Sequence, residues 1–136
     1  MPHTILLVED EPTTAKLVKL VLQREGYRVV TADNGPLGLR KAAESAPDLI
    51  LLDIVLPGMD GFEVCRYLRR DARTAHLPIL MFTSLDRPAD QRHGFAAGSD
   101  DYLVKPVRRE ELLEKVRGAL FFAAENGVTA EETLEQ

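Results

Sequence analysis

The fold is decided near the middle of the chain by the run Asp48-Leu-Ile-Leu-Leu-Asp53, in which four apolar residues lie between two aspartates. An apolar run without polar alternation is typical of a strand that is buried on both faces of a parallel sheet. Further short apolar runs occupy residues 5–8, 28–31, 78–83 and 101–104. Five such runs predict a sheet of five strands that needs helices on both of its faces.

Segments of helical period separate these strands. Apolar residues recur at helical spacing within residues 17–22, 39–43, 62–68 and 112–120, and a further segment at 88–97 is interrupted by Gly94. A glycine inside a helix costs about 1 kcal/mol relative to alanine, so the sequence predicts a marginal fourth helix. Because strand and helix alternate five times, we expect parallel strands, right-handed crossovers and the α/β fold class.

Composition narrows the class of protein. The 136 residues include 17 Lys and Arg and 22 Asp and Glu, which gives a net charge of −5 and disfavours direct nucleic-acid binding. The single cysteine, Cys65, excludes an internal disulfide and a cysteine-based metal cluster, and it suits a reducing compartment. The sequence contains no run of about 18 apolar residues and no signal peptide. We therefore expect a cytoplasmic protein that does not contact the membrane.

Chemically reactive side chains follow the predicted strands at their carboxyl ends. Glu9 and Asp10 follow the first strand, Asp53 the third and Lys105 the fifth, while Thr83 closes the fourth. Taken singly, each of these residues has an ordinary structural explanation. The acids after the first strand could simply cap a helix, and Thr83 and Lys105 could be an ordinary strand residue and an ordinary surface residue. Because the carboxyl ends of parallel strands meet at one edge of a sheet, we expect these groups to lie together.

Such a set of groups predicts phosphoryl-transfer chemistry. Clustered carboxylates repel one another, and a hard divalent cation is the simplest way to hold them together. The expected ion is Mg²⁺, with Mn²⁺ as the alternative. Zn²⁺ is disfavoured because the three histidines lack the spacing of zinc ligands. Asp53 would be the nucleophile that forms an aspartyl phosphate, while Lys105 offsets charge on the phosphoryl oxygens and Thr83 donates a hydrogen bond to them.

Four segments, in order, resemble the motif regions of the receiver domains of two-component response regulators. They are Val8-Glu-Asp-Glu11, Asp53-Ile-Val-Leu-Pro-Gly-Met-Asp-Gly61, Met81-Phe-Thr-Ser84 and Gly98-Ser-Asp-Asp-Tyr-Leu-Val-Lys-Pro106. The resemblance, to a phospho-acceptor module like the chemotaxis regulator, covers about residues 4–120. It implies a flavodoxin-like sheet of five parallel strands in the order 2-1-3-4-5.

The resemblance also implies a role for each acidic position of the motif. Asp53 corresponds to the phospho-acceptor and metal ligand, Asp10 to a direct Mg²⁺ ligand, and Glu9 to an acid that acts largely through water. Val55 would give the metal only its backbone carbonyl. The apolar side chains of Val55 and Leu85 flank the implied path of the attacking water, so we expect slow self-dephosphorylation.

The remaining motif residues resemble a switch. Thr83 and Tyr102 correspond to the switch pair, in which the hydroxyl moves toward the phosphoryl group and the aromatic ring turns inward behind it. Lys105 corresponds to the residue that pairs with phosphate, and Pro106 suggests a cis Lys105-Pro106 peptide bond. The implied response is a change of the face formed by the fourth helix, fifth strand and fifth helix.

The expected function is that of a phosphorelay signalling module rather than an enzyme, although the module catalyses its own phosphorylation and slow dephosphorylation. Its implied partners are a histidine kinase or phosphotransfer protein and a downstream protein target or output domain, and a homodimer formed on phosphorylation stays open. One alternative is a receiver-like docking scaffold that is never phosphorylated. Another is a small nucleotide-binding enzyme, which is disfavoured because the turn after the first strand lacks a glycine-rich phosphate loop.

The domain boundaries follow from the extent of the resemblance. We expect a receiver domain at residues 1–121, followed by an acidic tail, helix extension or linker at residues 122–136. So short a second segment cannot form an output domain of its own. The chain is therefore either a stand-alone receiver or the first part of a longer regulator.

Overall fold

In this computed structural model, which describes residues 2–135 and the side chains of residues 2–125, five parallel strands form one sheet in the order β2-β1-β3-β4-β5. The strands are β1 (Thr4–Val8), β2 (Arg28–Ala32), β3 (Leu49–Leu52), β4 (Ile79–Thr83) and β5 (Asp101–Val104). The helices are α1 (Pro12–Arg24), α2 (Gly35–Ser45), α3 (Gly61–Arg70), α4 (Pro88–Ala97) and α5 (Arg109–Glu135). The predicted α/β class and strand order are both confirmed.

The central strand β3 explains why both faces of the sheet carry helices. All four of its side chains are fully buried, and successive ones point to opposite faces. Ile50 and Leu52 belong to the core layer under α2, α3 and α4, whereas Leu49 and Leu51 belong to the layer under α1 and α5. Burial of a leucine or isoleucine side chain stabilises the fold by about 1.5–3 kcal/mol.

Side-chain caps fix where α1, α2 and α3 begin. The carboxylate of Asp60 accepts a hydrogen bond from the backbone N–H of Glu63 at 2.9 Å and so starts α3. Glu11 caps α1 in the same way, so this member of the acidic run after β1 has a structural role. The sequence was misleading at Leu17, which shares the predicted apolar stripe of α1 but is 59% exposed.

The fourth and fifth helices connect the sheet to the expected switch face. Helix α4 runs without a break through Gly94, which is buried against the ring of Tyr102. The apolar stripe of α5 packs as predicted, with Leu112, Leu113 and Val116 all buried. Most of the predicted tail, residues 126–136, lies outside the side chains that the structure describes, so the boundary at residue 121 stays a prediction. Among the described residues, no helix is both long enough and apolar enough to cross a membrane.

Candidate functional site

Three carboxylates meet at the carboxyl edge of the sheet. Glu9 and Asp10 follow β1 and Asp53 follows β3, and one oxygen from each lies within 4.8 Å of the others. The backbone holds two of them in place, because Glu9 donates to the carbonyl of Ala32 at 2.9 Å and Asp53 donates to that of Val8 at 3.0 Å. Glu9 and Asp53 are buried, whereas Asp10 is exposed. Such a set of oxygen donors fits a hard divalent cation.

Lys105 joins two of these carboxylates. Its ammonium donates hydrogen bonds to Oε1 of Glu9 and, at 3.1 Å, to Oδ2 of Asp53. The peptide bond between Lys105 and Pro106 is cis, as expected from the sequence. The ring of Phe82 lies beneath the ammonium, 5.0 Å from Nζ to the ring centroid, and this contact was missed because Phe82 reads as an ordinary core residue of β4.

The electrostatics of the site follow from burial and from the shared ammonium. Burial raises the pKa of the Glu9 carboxyl, although the hydrogen bond from Lys105 opposes the shift. Burial by itself would lower the pKa of Lys105, but the hydrogen bond to Glu9 and the charge of Asp53 outweigh it, so the pKa of this ammonium is raised. Two of the three carboxylates thus share one ammonium, and the remaining negative charge favours an additional cation.

Backbone groups orient Asp53. Its Oδ1 accepts hydrogen bonds from the N–H groups of Ile54 at 2.7 Å and Val55 at 3.3 Å. Gly61 donates to the carbonyl of Ile54 at 2.8 Å, and a Cβ at Gly61 would lie only 2.3 Å from the carbonyl oxygen of Asp53. Only glycine fits this close approach. The sequence gives no sign of this requirement, because nothing in it reveals which backbone atoms pass beside Gly61.

The predicted switch residues Thr83 and Tyr102 both contact Leu85. Thr83 ends β4 and is fully buried, and its Oγ1 accepts from the N–H of Leu85 at 3.4 Å. The phenol of Tyr102 donates to the carbonyl of Leu85 at 2.8 Å. Burial raises the pKa of this phenol to about 12. The backbone at Leu85 therefore links the two side chains, a connection with no sequence signal because the acceptor is a main-chain oxygen.

The sequence of this chain matches the response regulator receiver domain family over residues 5–117. This chain is a response regulator receiver domain. In this family the general mechanism is phosphorylation of an aspartate, and the structure brings the motif residues to the edge of the sheet at which an open parallel sheet binds its ligands.

Curated relatives support the same assignment. The receiver is 48% identical over 120 residues to the DNA-binding dual master transcriptional regulator RpaA of Synechocystis sp., covering 88% of this chain and 49% of RpaA. It is 39% identical over 116 residues to protein PilH of Pseudomonas aeruginosa, covering 85% of this chain and 96% of PilH. The receiver thus spans about half the length of RpaA and nearly all of PilH.

A solved structure similar to this receiver holds a metal. It is the receiver domain of the sensor histidine kinase PA1611 of Pseudomonas aeruginosa, which has a magnesium ion coordinated in its active site cleft. The two structures match with a TM-score of 0.83 at 32% identity, over 88% of this chain and 98% of the other. The carboxylate cluster of this receiver can likewise hold a metal ion.

The structure thus brings together most of the residues that the sequence singled out. Glu9, Asp10, Asp53 and Lys105 form one cluster at the carboxyl edge of the sheet, and Val55 borders it through its N–H bond to Asp53. Thr83 and Tyr102 lie on β4 and β5, next to the β4–α4 connection rather than within the carboxylate cluster.

Proposed function

We propose that this receiver takes a phosphoryl group onto Asp53 from the phosphohistidine of a histidine kinase or phosphotransfer protein. The observation that carries the proposal is the position of Asp53, which is buried beside Glu9 and contacted by the ammonium of Lys105. A carboxylate oxygen of Asp53 forms the new O–P bond as the P–N bond breaks, and the electron pair of that bond stays on the imidazole nitrogen.

The side chains around Asp53 divide the remaining work. Lys105 is free to follow the negative charge from the carboxylate to the phosphoryl oxygens, because its flexible stem carries a compact charge. Thr83 gives up its weak contact with the N–H of Leu85 and donates its own O–H to the phosphoryl group. Tyr102 then keeps its ring inward behind Thr83, which couples the site to α4.

The acidic cluster would hold Mg²⁺ in this proposal. The ligands would be carboxylate oxygens of Asp10 and Asp53 and the backbone carbonyl of Val55, with Glu9 acting largely through water. When bound, the ion supplies positive charge that offsets the charge of the transferring phosphoryl group. The spacing of the carboxylates and the magnesium in the PA1611 receiver support Mg²⁺, and neither observation supports the alternative, Mn²⁺.

The same geometry bears on how long the phosphoryl group lasts. Val55 is 53% exposed beside Asp53, and Leu85 is partly buried beyond Thr83, so neither position carries a polar side chain that could orient water. We therefore expect slow self-dephosphorylation, and we expect Val55→Asn to accelerate it. Decay of the phosphorylated protein, followed by mass spectrometry, measures this. Slower or unchanged loss from the Val55→Asn variant would contradict the role of Val55.

The output surface in this proposal is the face of α4, β5 and α5. Phe95 on α4 is 48% exposed, as expected of a residue available to a downstream protein or output domain. A second use of this face is the pairing of two phosphorylated receivers. Sedimentation of the protein with and without phosphorylation tests this use, because a homodimer sediments faster than a monomer. A cytoplasmic location belongs to the same proposal and is supported by Cys65, a free and buried thiol.

Direct nucleic-acid binding is not part of the proposal. Two arginines near the end of α3 are engaged within the protein. Arg69, in the helix, donates to three backbone carbonyls and to Asp100, and Arg73, which follows the helix, pairs with Asp71. Their charge is therefore partly neutralised, which weakens attraction to a phosphate backbone. No observation favours the alternative of a docking scaffold that is never phosphorylated.

The test uses a small acyl phosphate with Mg²⁺ and detects bound phosphoryl groups by mass spectrometry. The wild type should gain one group, and Asp53→Asn should gain none. Asp48→Asn is the matched control, because Asp48 lies at the opposite end of the same strand and caps the N–H of Thr4 at 2.7 Å. Phosphorylation of Asp53→Asn, or its absence in the wild type, would rule out Asp53 as the acceptor.

A further inference from the structure

The ring of Tyr102 occupies the volume that a side chain at position 94 would need. A Cβ at Gly94 would lie 3.1 Å from Cδ2 and 3.2 Å from Cε2 of the Tyr102 ring. Such distances are shorter than carbon atoms normally adopt in a packed core. The glycine inside α4 therefore does more than weaken the helix, because its missing side chain makes room for the Tyr102 ring, which is turned inward and leaves the residue only 9% exposed.

A buried hydroxyl lies around the same point. Oγ of Ser99 would be 3.5 Å from the Cβ at position 94, and Ser99 is only 7% exposed. Among the residues whose side chains the structure describes, the Ser99 hydroxyl is the one buried side-chain polar group without a hydrogen-bond partner. An unpartnered buried hydroxyl is unfavourable. Two features therefore lie together beside the Tyr102 ring: the missing side chain of Gly94 and the unpaired hydroxyl of Ser99.

We propose that Gly94 and Ser99 are positioning residues that act on Tyr102 with opposite signs: Gly94 permits its inward position, and the unpaired hydroxyl of Ser99 disfavours it. Turning the ring outward frees space beside the Ser99 hydroxyl, where the hydroxyl can find a partner. The two residues together keep the inward and outward populations close enough for phosphorylation to shift them. This inference rests on the proposed role of Tyr102 as part of the switch.

The two substitutions have opposite expected effects. Gly94→Ala places a methyl group against the ring, and overpacking of this kind lowers the inward-to-outward ratio by roughly tenfold. Ser99→Ala removes the hydroxyl and leaves the ring in place, which raises the ratio by roughly fivefold or more. Gly118→Ala is the matched control, because Gly118 is also a helical glycine but a Cβ there would have no neighbour within 4 Å.

The experiment reports the ring directly. The full chain is labelled with 3-fluorotyrosine and studied by ¹⁹F NMR, and Tyr102→Phe identifies the Tyr102 signal among the three tyrosines. Spectra are recorded with and without Mg²⁺ and beryllofluoride, a mimic of the phosphoryl group. We expect the Tyr102 signal of Gly94→Ala to move toward the outward position and that of Ser99→Ala toward the inward position. Gly118→Ala should match the wild type.

The outcomes separate this inference from the proposed function. If beryllofluoride moves the wild-type Tyr102 signal but both variants coincide with Gly118→Ala, then Gly94 and Ser99 do not position the ring and the inference is wrong. If the variants move the signal in opposite directions while beryllofluoride moves it in none of them, the positioning role stands and the role of Tyr102 in the switch fails. Movement of both variants in the same direction also overturns the inference. A folding defect in Gly94→Ala would appear in all three signals, and Ser99→Ala then decides.

Discussion

Replacement of Lys105 by methionine tests how the buried charges of the site are balanced. Methionine keeps a long unbranched side chain but removes the ammonium. In the wild type that ammonium contacts both Glu9 and Asp53, whose side chains are 1% and 5% exposed. The variant therefore leaves two buried carboxylates without the positive charge that they share.

The size of the effect follows from the geometry. At the 3.1 Å between Nζ and Oδ2 of Asp53, and at an effective dielectric constant of about 20, one such pair is worth ~5 kcal/mol. Part of this is recovered when a carboxylate takes up a proton or water enters. We therefore expect Lys105→Met to lower the free energy of unfolding by about 3 kcal/mol at neutral pH in the presence of a chelator.

The loss should depend on pH and on Mg²⁺. Burial already raises the pKa of Glu9, and removal of Lys105 raises it further, so protonation relieves the repulsion as the pH falls through this raised pKa. The destabilisation should thus shrink in mildly acidic solution. Mg²⁺ supplies positive charge to the same carboxylates, and a concentration of about 100 times its dissociation constant stabilises the folded protein by ~2.7 kcal/mol. Because the variant lacks the competing ammonium, we expect it to bind Mg²⁺ more tightly than the wild type, and the loss should then shrink.

Urea denaturation followed by circular dichroism measures these changes, with chelator and with Mg²⁺, at neutral and mildly acidic pH. Lys115→Met is the matched control, because Lys115 lies 2.9 Å from Asp101 in a pair whose side chains are 43% and 35% exposed. The control should lose less than about 1 kcal/mol and should not respond differently to Mg²⁺. Equal losses in the two variants, or a Lys105→Met protein as stable as the wild type in chelator, would refute the reasoning.

Three further predictions follow from single contacts. Gly61→Ala forces a Cβ to within 2.3 Å of the Asp53 carbonyl oxygen, and it should lower the free energy of unfolding by about 2 kcal/mol or more and abolish reactivity with acyl phosphate. The control Gly118→Ala should instead raise the free energy of unfolding by about 1 kcal/mol. Thermal denaturation compares the two variants, and equal shifts of their melting temperatures would exclude the clash. Burial raises the pKa of Tyr102 to about 12, so its phenol should stay neutral at a pH at which an exposed tyrosine ionises. The contribution of this phenol to the free energy of unfolding should be lost as the pH rises from about 10 to 12. Ultraviolet titration of the wild type against Tyr102→Phe checks this, and an ordinary tyrosine titration at this position would contradict it. Arg69 donates hydrogen bonds to three backbone carbonyls and one carboxylate. Arg69→Met should therefore speed amide hydrogen exchange in the segment between α4 and β5 and lower the free energy of unfolding by about 2 kcal/mol. Unchanged exchange in that segment would show that these contacts are dispensable.

Much of the fold could be predicted because the chain alternates the same two local patterns, short apolar runs for strands and apolar residues at helical spacing for helices. The run at β3 has no polar alternation, and it is buried on both faces as that pattern indicates. Helix α4 was predicted to be marginal on account of Gly94, yet it is continuous, because packing against Tyr102 compensates for the low helix propensity of glycine. Leu17 shows the opposite error, since an apolar residue at helical spacing need not face the core.

For the site, too, the sequence predicts one part and leaves another part undetermined. The parallel arrangement of the strands is enough to predict that Glu9, Asp53 and Lys105 converge, because side chains at the carboxyl ends of parallel strands share an edge. Their hydrogen bonds could not be predicted in this way. The shared ammonium and the contact of Tyr102 with the Leu85 carbonyl depend on side-chain rotamers and on main-chain atoms, which leave no mark in residue identity.

The amino-acid sequence by itself determined the α/β class, the parallel sheet and the edge at which the reactive groups lie, because alternation of apolar runs and helical stripes depends only on local spacing. Tertiary structure alone decided which groups touch. Glycine at 61 and 94 is the clearest case: each is a helix residue in the sequence, yet one admits the backbone of Asp53 and the other the ring of Tyr102. Such close approaches arise between elements distant in the chain, and only the packed fold brings their atoms together.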